Sequence, residues 1–282
     1  MPNISRTLAL AAQILADSGV AEPRREAASL LSFALGKDRT FLIAHPDDEI
    51  EAEGLKAFNE LLSRRAAREP LQYIRGHQEF FGLDFEVTPD VLIPRPETEI
   101  LVEDALEILK PLLLPRICEI GIGTGCIAIS LLYHLTNAFA VGLEISEAAI
   151  GIARRNSRKH GVAERFDIRR SDVFSALSDE RFDVIVSNPP YVPVDDMESL
   201  QAEVRDFEPR TALTDGGDGL SIIRRIIAGS PKHLVAGGAL LIEIGFDQAS
   251  AVREMFEPEL WRSVDFLPDL QGIPRIARAD LA

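Results

Sequence analysis

The feature that most constrains the fold is the regular alternation of strand-like and helix-like segments after Pro115. Short apolar segments of strand character are separated there by stretches with helical spacing. Parallel strands need a crossover that is usually a helix, so this alternation predicts a mainly parallel sheet with helices on its faces. Two later segments lack a convincing helix between them and are expected to form an antiparallel edge pair. The parallel candidates are residues 116–120, 139–145, 166–171, 182–187 and 239–244, and the edge pair is 263–266 with 275–279.

The first 70 residues differ in character, because they carry helical periodicity and almost no strand signal. Asn3 or Ser5 can cap a first helix, and Gly36 is placed to end a second one. A longer helix is expected to stop before Pro70, since proline cannot continue a helix. These features predict a small helical bundle.

A connecting segment follows the bundle. Its alternating apolar residues predict a β-hairpin that turns near Gly82. Two prolines, Pro94 and Pro96, then stiffen the chain, because each fixes its own φ and restricts the residue before it. The predicted organisation is a helical domain at residues 1–70, a hairpin and proline-rich linker at 71–95, and an α/β domain at 96–282.

Charge and composition limit the possible partners. The 30 Lys and Arg against 45 Asp and Glu give a net charge of −15, which disfavours free nucleic acid because phosphate contacts normally need a clustered basic face. The two cysteines give no disulfide framework, and the five histidines lack ligand spacing, so no metal site is expected. No apolar stretch approaches the length of a bilayer. We expect a soluble, cytoplasmic, monomeric protein with no membrane and no direct nucleic-acid partner.

A glycine-rich loop lies between the first parallel strand and the helix after it. The loop reads Glu119-Ile120-Gly121-Ile122-Gly123-Thr124-Gly125. Glycines let the backbone turn sharply and approach a ligand, and the helix N-terminus offers free N–H groups. Glu144 closes the next strand, where a carboxylate commonly accepts hydrogen bonds from ribose hydroxyls. A tight turn that binds nothing is the alternative, and the presence of Glu144 counts against it.

The glycine spacing separates two kinds of cofactor. A nicotinamide dinucleotide loop has a Gly or Ala where this chain has Cys126. The Gly-x-Gly-x-Gly spacing, with an acidic residue two positions before it, resembles instead the cofactor loop of class I methyltransferases. This resemblance implies S-adenosylmethionine as the cofactor, with S-adenosylhomocysteine as its product. The implied cofactor-binding residues are Gly121, Ile122, Gly123, Thr124, Gly125, Glu144, Asp172 at the adenine amino group, Val173 at the adenine ring, and Asn188.

The strand at 182–187 ends in the tetrapeptide Asn188-Pro189-Pro190-Tyr191, here called the NPPY segment. Ligands of open α/β sheets bind at the carboxyl ends of the strands, so the NPPY segment is expected to face the glycine loop. The Asn188 side-chain oxygen and the Pro189 carbonyl can each accept one N–H of a planar amide or amine, which fixes that nitrogen for methylation. Both prolines are stiff, and Tyr191 offers a flat face for stacking. These four residues are the predicted catalytic and substrate-binding residues.

Further stretches give a closer match. The helical N-terminal part, residues 92–99 and the run Gly216-Gly217-Asp218-Gly219-Leu220 resemble the PrmC/HemK family of peptide-chain release factor glutamine methyltransferases. The resemblance covers nearly the whole chain, and the Pro-Arg-Pro-Glu-Thr-Glu stretch at 94–99 is far more specific than motifs shared by all such enzymes. It implies a class I methyltransferase (Rossmann-like) α/β fold with a seven-stranded, mainly parallel sheet after the helical bundle and hairpin.

The same resemblance implies the reaction and the partner. The methyl group would pass to the side-chain amide of the glutamine in the Gly-Gly-Gln motif of bacterial class I release factors, the proteins of translation termination. The NPPY segment would hold that glutamine, and the helical domain would recognise the release factor. The 94–99 connector would line the site beside the cofactor.

Three other functions could in principle use these motifs. An adenine-N6 methyltransferase of DNA or RNA uses the same tetrapeptide on a flipped base, but the charge of −15 counts against it. A nicotinamide-dependent oxidoreductase leaves the NPPY segment without a role. A binding module with a vestigial catalytic domain does not explain why the site residues are intact.

Overall fold

The computed structural model describes residues 2–282, which divide into two compact units. The helical unit comprises the chain up to Gly76 together with Gln201–Phe207, and the α/β unit comprises His77–Leu200 and Glu208–Ala282. The helical unit therefore runs past residue 70. It also includes a short segment that the sequence analysis assigned to the 96–282 domain.

The helices of the described chain are α1 (Ile4–Asp17), α2 (Pro23–Leu35), α3 (Arg39–Ala44), α4 (Ala52–Ala66), α5 (Leu71–Arg75), α6 (Thr98–Leu109), α7 (Cys126–His134), α8 (Glu147–Lys159), α9 (Ala202–Phe207), α10 (Arg210–Leu213), α11 (Ser221–Gly229) and α12 (Ala249–Arg253). The strands are β1 (His77–Phe80), β2 (Leu83–Glu86), β3 (Arg116–Ile120), β4 (Phe139–Glu144), β5 (Phe166–Arg170), β6 (Phe182–Ser187), β7 (Leu234–Glu243), β8 (Trp261–Pro268) and β9 (Pro274–Leu281). Short 3₁₀ turns occupy Ala163–Arg165, Val194–Ser199 and Ser230–Lys232.

Local signals set the ends of the first helices in the helical unit. The Asn3 side chain accepts a hydrogen bond from the Arg6 N–H at 2.9 Å, which caps α1 and confirms one of the two predicted caps. Gly36 adopts the left-handed conformation at φ 61° and ends α2 as predicted. The apolar faces of the helices then meet in one core, whose fully buried members include Leu15, Leu30, Leu31 and Phe58.

An ion-pair cluster holds α9 within the helical unit. Glu203 on α9 accepts hydrogen bonds from Arg65 at 2.9 Å and from the Arg68 Nε at 2.8 Å. Arg65 is 4% exposed and also pairs with Glu26 on α2. Burial disfavours the ionised form of Glu203, but the arginine hydrogen bonds outweigh it and lower the pKa of this carboxyl to about 2. The cluster therefore joins α9 to a helix more than a hundred residues earlier in the chain.

The predicted hairpin is present at the start of the α/β unit. Strands β1 and β2 are antiparallel, with Phe80 opposite Leu83. The two-residue turn between them consists of Phe81 and Gly82, both at positive φ, which is the conformation that short hairpin turns require. The sequence prediction of a turn near Gly82 is confirmed.

The main sheet has seven strands in the order β5-β4-β3-β6-β7-β9-β8. The first five are parallel, and β9 runs antiparallel to both of its neighbours. The predicted fold class and the antiparallel edge pair are therefore confirmed. Successive strands move one way from β3 through β4 to β5, and the chain then returns to place β6 on the other side of β3. The strand order thus reverses between β3 and β6, which creates a crevice at their carboxyl ends.

Two buried clusters cover the two faces of this sheet. One combines the hairpin with α6, α7 and α8, and the other combines α11 and α12 with the C-terminal strands. Continuous apolar strands such as β6 are typical of a sheet that is covered on both faces. Within residues 2–282, no helix is both long enough and apolar enough to span a bilayer.

Candidate active site

A cavity of about 500 Å³ opens at the carboxyl ends of the central strands of the α/β unit. The glycine loop, the end of β4 and the beginning of the NPPY segment share its wall, so the structure brings the two predicted parts of the site together. The predicted residues on the cavity wall are Gly121, Ile122, Gly123, Thr124, Glu144, Asp172, Val173, Asn188 and Pro190.

The glycine loop adopts a conformation that other residues rarely reach. Gly121, Gly123 and Gly125 have φ values of 71°, 50° and 78°. Packing also requires glycine at position 125, because a Cβ there would lie 2.9 Å from the Ile129 side chain. The loop is held to the sheet by the Gly121 N–H, which donates to the carbonyl of Leu143 at 2.7 Å. The sequence Gly-x-Gly-x-Gly is therefore a backbone requirement of this turn.

Two buried carboxylates organise the loop from behind. Glu144 accepts hydrogen bonds from the N–H groups of Gly123 at 3.0 Å and Ser146 at 2.9 Å. Glu119 is 1% exposed and accepts the Ala128 N–H, in the first turn of α7, at 2.8 Å. Burial raises the pKa of Glu119 to about 8, although the Ala128 hydrogen bond opposes the rise. Glu144 thus has a structural task in addition to the ribose contact that the sequence predicts.

Asp172 and Val173 follow β5 at the far side of the cavity. Asp172 is half exposed and forms an ion pair with Arg225 at 2.9 Å. Val173 is buried and has a φ of 50°, an unfavourable conformation for a β-branched residue. Backbone strain of this kind is concentrated at ligand sites, which agrees with the predicted place of Val173 beside a cofactor.

The NPPY segment leaves β6 directly after the buried Ser187. Asn188 and Pro190 are half-buried on the cavity wall, whereas Pro189 is buried. The carbonyl of Tyr191 accepts a hydrogen bond from the Gln248 side chain at 2.9 Å. A Cβ on Gly219 would lie only 2.2 Å from the same oxygen, so only glycine fits at that position.

The Asn188 side chain has one polar end engaged by the protein. Its amide nitrogen donates to the Thr98 hydroxyl at 3.2 Å, and Thr98 in turn donates to the carboxylate of Glu243 at 2.5 Å. The Tyr191 hydroxyl donates to the other oxygen of Glu243 at 3.2 Å. The Asn188 oxygen is left as a hydrogen-bond acceptor at the cavity. Such an arrangement can hold an N–H group, which is the chemistry that the sequence predicts for this tetrapeptide.

The proline-rich connector borders the same cavity. Arg95 lies on the cavity wall and pairs with the buried carboxylate of Glu208 at 2.5 Å. Glu208 also accepts the N–H of Ile93 at 3.3 Å. Burial raises the pKa of Glu208, and the pairing with Arg95 opposes that rise. One carboxylate therefore fixes both the backbone and a side chain of the connector.

Several residues of this site were missing from the sequence-predicted set. The sequence did indicate a role for Glu119, since it is the acidic residue two positions before the first glycine of the loop. It also indicated one for Glu243, because it is a lone charge at the end of an apolar strand. Thr98 was expected only as part of the 94–99 connector, and its hydroxyl gave no indication of a role of its own.

Comparisons with known proteins identify the family. Residues 6–76 match the family model described as PrmC N-terminal domain, and residues 98–218 match the model described as Methyltransferase small domain. A release factor glutamine methyltransferase of Geobacter sulfurreducens is 47% identical over 262 residues, covering 93% of this chain and 91% of that protein. One of Bordetella pertussis is 41% identical over 271 residues, covering 96% of this chain and 98% of that protein.

Solved structures share the fold at lower identity. A methyltransferase from Pyrococcus furiosus is 20% identical with a TM-score of 0.52, and the match covers 72% of this chain and 90% of that one. The hMettl16 catalytic domain in complex with a 3'UTR hairpin is 18% identical with a TM-score of 0.59, covering 79% of this chain and 82% of that one. At these identities the likeness establishes the methyltransferase fold alone.

Proposed function

This chain belongs to the release factor glutamine methyltransferases, and we propose that it transfers the methyl group of S-adenosylmethionine to the glutamine amide of the Gly-Gly-Gln motif in peptide-chain release factors. The observation that carries the proposal is that Asn188 lines the same cavity as the glycine loop while Thr98 engages its amide nitrogen, which leaves its oxygen to accept a hydrogen bond. An acceptor oxygen at that place suits a carboxamide N–H. The relatives in Geobacter sulfurreducens and Bordetella pertussis are named release factor glutamine methyltransferases.

The cavity fits the cofactor in size and in chemistry. A volume of about 500 Å³ lies in the range of sites for cofactor-sized molecules. We assign the cofactor to the loop at 121–125, with Glu144 at the ribose hydroxyls and Asp172 and Val173 at the adenine. The buried Glu119 adds a second acceptor behind the loop. When bound, S-adenosylmethionine supplies a methyl group that is electrophilic because it is attached to a positively charged sulfur.

The residues of the NPPY segment prepare the acceptor nitrogen. An amide nitrogen is a weak nucleophile because its lone pair is delocalised into the carbonyl. Hydrogen bonds from its two N–H groups to the Asn188 oxygen and the Pro189 carbonyl fix the nitrogen and turn its lone pair toward the methyl carbon. S-adenosylmethionine held at the loop would supply its methyl group to this nitrogen and keep the carbon–sulfur bonding pair on sulfur, and one N–H proton would pass to water. Proton abstraction by a strong base is not required.

The remaining parts of the proposal concern the partner. We assign recognition of the release factor to the helical unit, in keeping with the match of residues 6–76 to the PrmC N-terminal domain. We propose that the protein acts as a monomer. A protein substrate that works in translation termination places the enzyme in the cytoplasm.

A labelling experiment tests the proposal against its closest rival, adenine-N6 methylation. The protein is incubated with labelled S-adenosylmethionine, a bacterial release factor and duplex DNA together. We expect label in the release factor and none in the DNA. Label in the DNA alone would contradict the release-factor assignment while leaving methyl transfer intact.

A further inference from the structure

A hydrogen-bond chain behind the NPPY segment joins residues from three separate elements. It runs from the carboxylate of Glu243, at the end of β7, to the Thr98 hydroxyl at the start of α6 and on to the Asn188 amide after β6. We propose that Thr98 and Glu243 are positioning residues, which fix the Asn188 carboxamide with its oxygen toward the acceptor nitrogen and its NH₂ group away from it. The inference rests on the proposed function and adds the origin of its selectivity for a carboxamide.

The direction of each hydrogen bond in this chain follows from which groups can donate a proton. A carboxylate only accepts, and both oxygens of Glu243 receive hydroxyl donors, one from Thr98 and one from Tyr191. The 2.5 Å separation between the Thr98 and Glu243 oxygens is typical of a hydroxyl that donates to an ionised carboxylate. A threonine has one hydroxyl proton, so Thr98 has only lone pairs left for Asn188. The Asn188 group that faces Thr98 must therefore be the NH₂.

Burial keeps water from replacing these partners. Thr98 and Glu243 are each 2% exposed. Burial raises the pKa of Glu243, and the hydrogen bonds from Thr98 and Tyr191 oppose that rise. If the Asn188 amide turned over, its oxygen would face the Thr98 oxygen with no proton between them, and a buried unpaired acceptor is costly. The chain therefore holds one of the two amide orientations.

This orientation has a consequence for substrate choice. The Asn188 oxygen attracts an N–H donor and repels another oxygen. A glutamine side chain offers two N–H donors, whereas a glutamate carboxylate offers none. We therefore expect the site to discriminate against a release factor whose acceptor glutamine is replaced by glutamate. That discrimination should depend on Thr98, because Thr98 fixes the orientation of the Asn188 amide.

The test compares three variants of the full chain with the wild type. Thr98→Val removes the hydroxyl at nearly constant size, and Thr98→Ser restores it. Ser130→Ala is the matched control, because the hydroxyl of Ser130 is buried in α7 and has no hydrogen-bond partner within residues 2–282. The measured quantities are kcat and KM for the release factor, Kd for S-adenosylmethionine, and the ratio of binding between the glutamine and glutamate forms of the release factor.

We expect Thr98→Val to lower kcat by about 10- to 100-fold, the scale of a misaligned acceptor, with KM and cofactor Kd changed by less than about 3-fold. The preference for the glutamine form should fall by about 10-fold, because a reoriented Asn188 would offer its NH₂ to the glutamate form, and one such hydrogen bond is worth about that factor. Thr98→Ser should restore both quantities, and Ser130→Ala should match the wild type. A Thr98→Val enzyme with wild-type kcat and wild-type discrimination would overturn the proposal.

Glu243→Gln provides a second variant if Thr98→Val fails to fold, as judged by its unfolding transition. A glutamine can accept only one of the two hydroxyl donors, so the hydrogen bonds from Glu243 to Asn188 no longer have one fixed direction. The kcat should then fall by at least about 10-fold. Unchanged kcat in Glu243→Gln would also overturn the proposal. A wild-type enzyme that leaves the release factor unlabelled would instead contradict the proposed function itself, so the two failures are distinguishable.

Discussion

Replacing Asn188 by alanine should slow methyl transfer to the release factor strongly while cofactor binding stays almost unchanged. The Asn188 oxygen is one of two acceptors assigned to the substrate nitrogen, the other being the Pro189 carbonyl. Its removal loses one hydrogen bond, worth about 1 kcal/mol, and leaves a substrate N–H unpaired in the site, which costs a further 1–3 kcal/mol or so. The sum of roughly 2–4 kcal/mol corresponds to a loss of about 30- to 1,000-fold in kcat.

The assay for Asn188→Ala is steady-state kcat with a saturating release factor, together with the Kd of S-adenosylmethionine from calorimetry. The exposed Asn137, whose side chain donates to the Leu113 carbonyl, supplies the matched control Asn137→Ala, and its kcat should equal that of the wild type. We expect the cofactor Kd of Asn188→Ala to stay within about 3-fold of the wild type, because the loop and Glu144 remain intact.

Asn188→Asp tests the NH₂ end of the Asn188 side chain separately from its oxygen. It keeps the oxygen at the cavity but places a second oxygen against the Thr98 hydroxyl, whose proton is already donated to Glu243. This variant should therefore also lose at least about 10-fold in kcat, because a buried polar group loses its partner.

Asn188→Ala with more than about a third of the wild-type kcat would refute the acceptor-holding role.

Further predictions concern backbone fit and pH. Gly219→Ala should lower the free energy of unfolding by about 1–3 kcal/mol and should also lower kcat, because its Cβ would displace the Tyr191 carbonyl. Gly217→Ala is the control and should change neither, because its Cβ would lie 3.6 Å from the Asp215 side chain. Because burial raises the pKa of Glu119 from 4.5 to about 8, its stabilising effect is complete below pH 4.5 and is lost as pH rises through 8; denaturant titrations should find this loss in the wild type and not in Glu119→Gln. The lowered pKa of Glu203, about 2, gives the opposite sign, so its contribution is present above pH 4.5 and is lost as pH falls toward 2; Glu203→Gln should lack that acid-dependent loss.

Local chemistry made much of the fold predictable. Asn3, Gly36 and Gly82 each act on the few residues around them, so their effects could be inferred from short stretches of sequence. The strand–helix alternation after Pro115 identified the class of sheet for the same reason. The glycine loop and the NPPY segment were likewise continuous in sequence, and their placement at one cavity followed from the rule that parallel strands present their carboxyl ends at one edge.

Long-range pairings were not predictable in this way. Thr98 and Glu243 are 145 positions apart, and only the completed sheet brings the start of α6 to the end of β7. The assignment of α9 to the helical unit depends on Glu203 and two arginines that precede it by more than 130 positions. A single sequence contains these charges but not their partners, because opposite charges on an acidic chain can be paired in many ways.

The most direct test of the central claim is to locate the transferred methyl group by tandem mass spectrometry. A bacterial release factor is incubated with the protein and S-adenosylmethionine, digested, and sequenced through its Gly-Gly-Gln motif. The account predicts one added methyl group on the side-chain nitrogen of that glutamine, and far less of this product when the Asn188→Ala variant is used for the same time. A methyl group on any other residue of the release factor, with the glutamine unmodified, would contradict it.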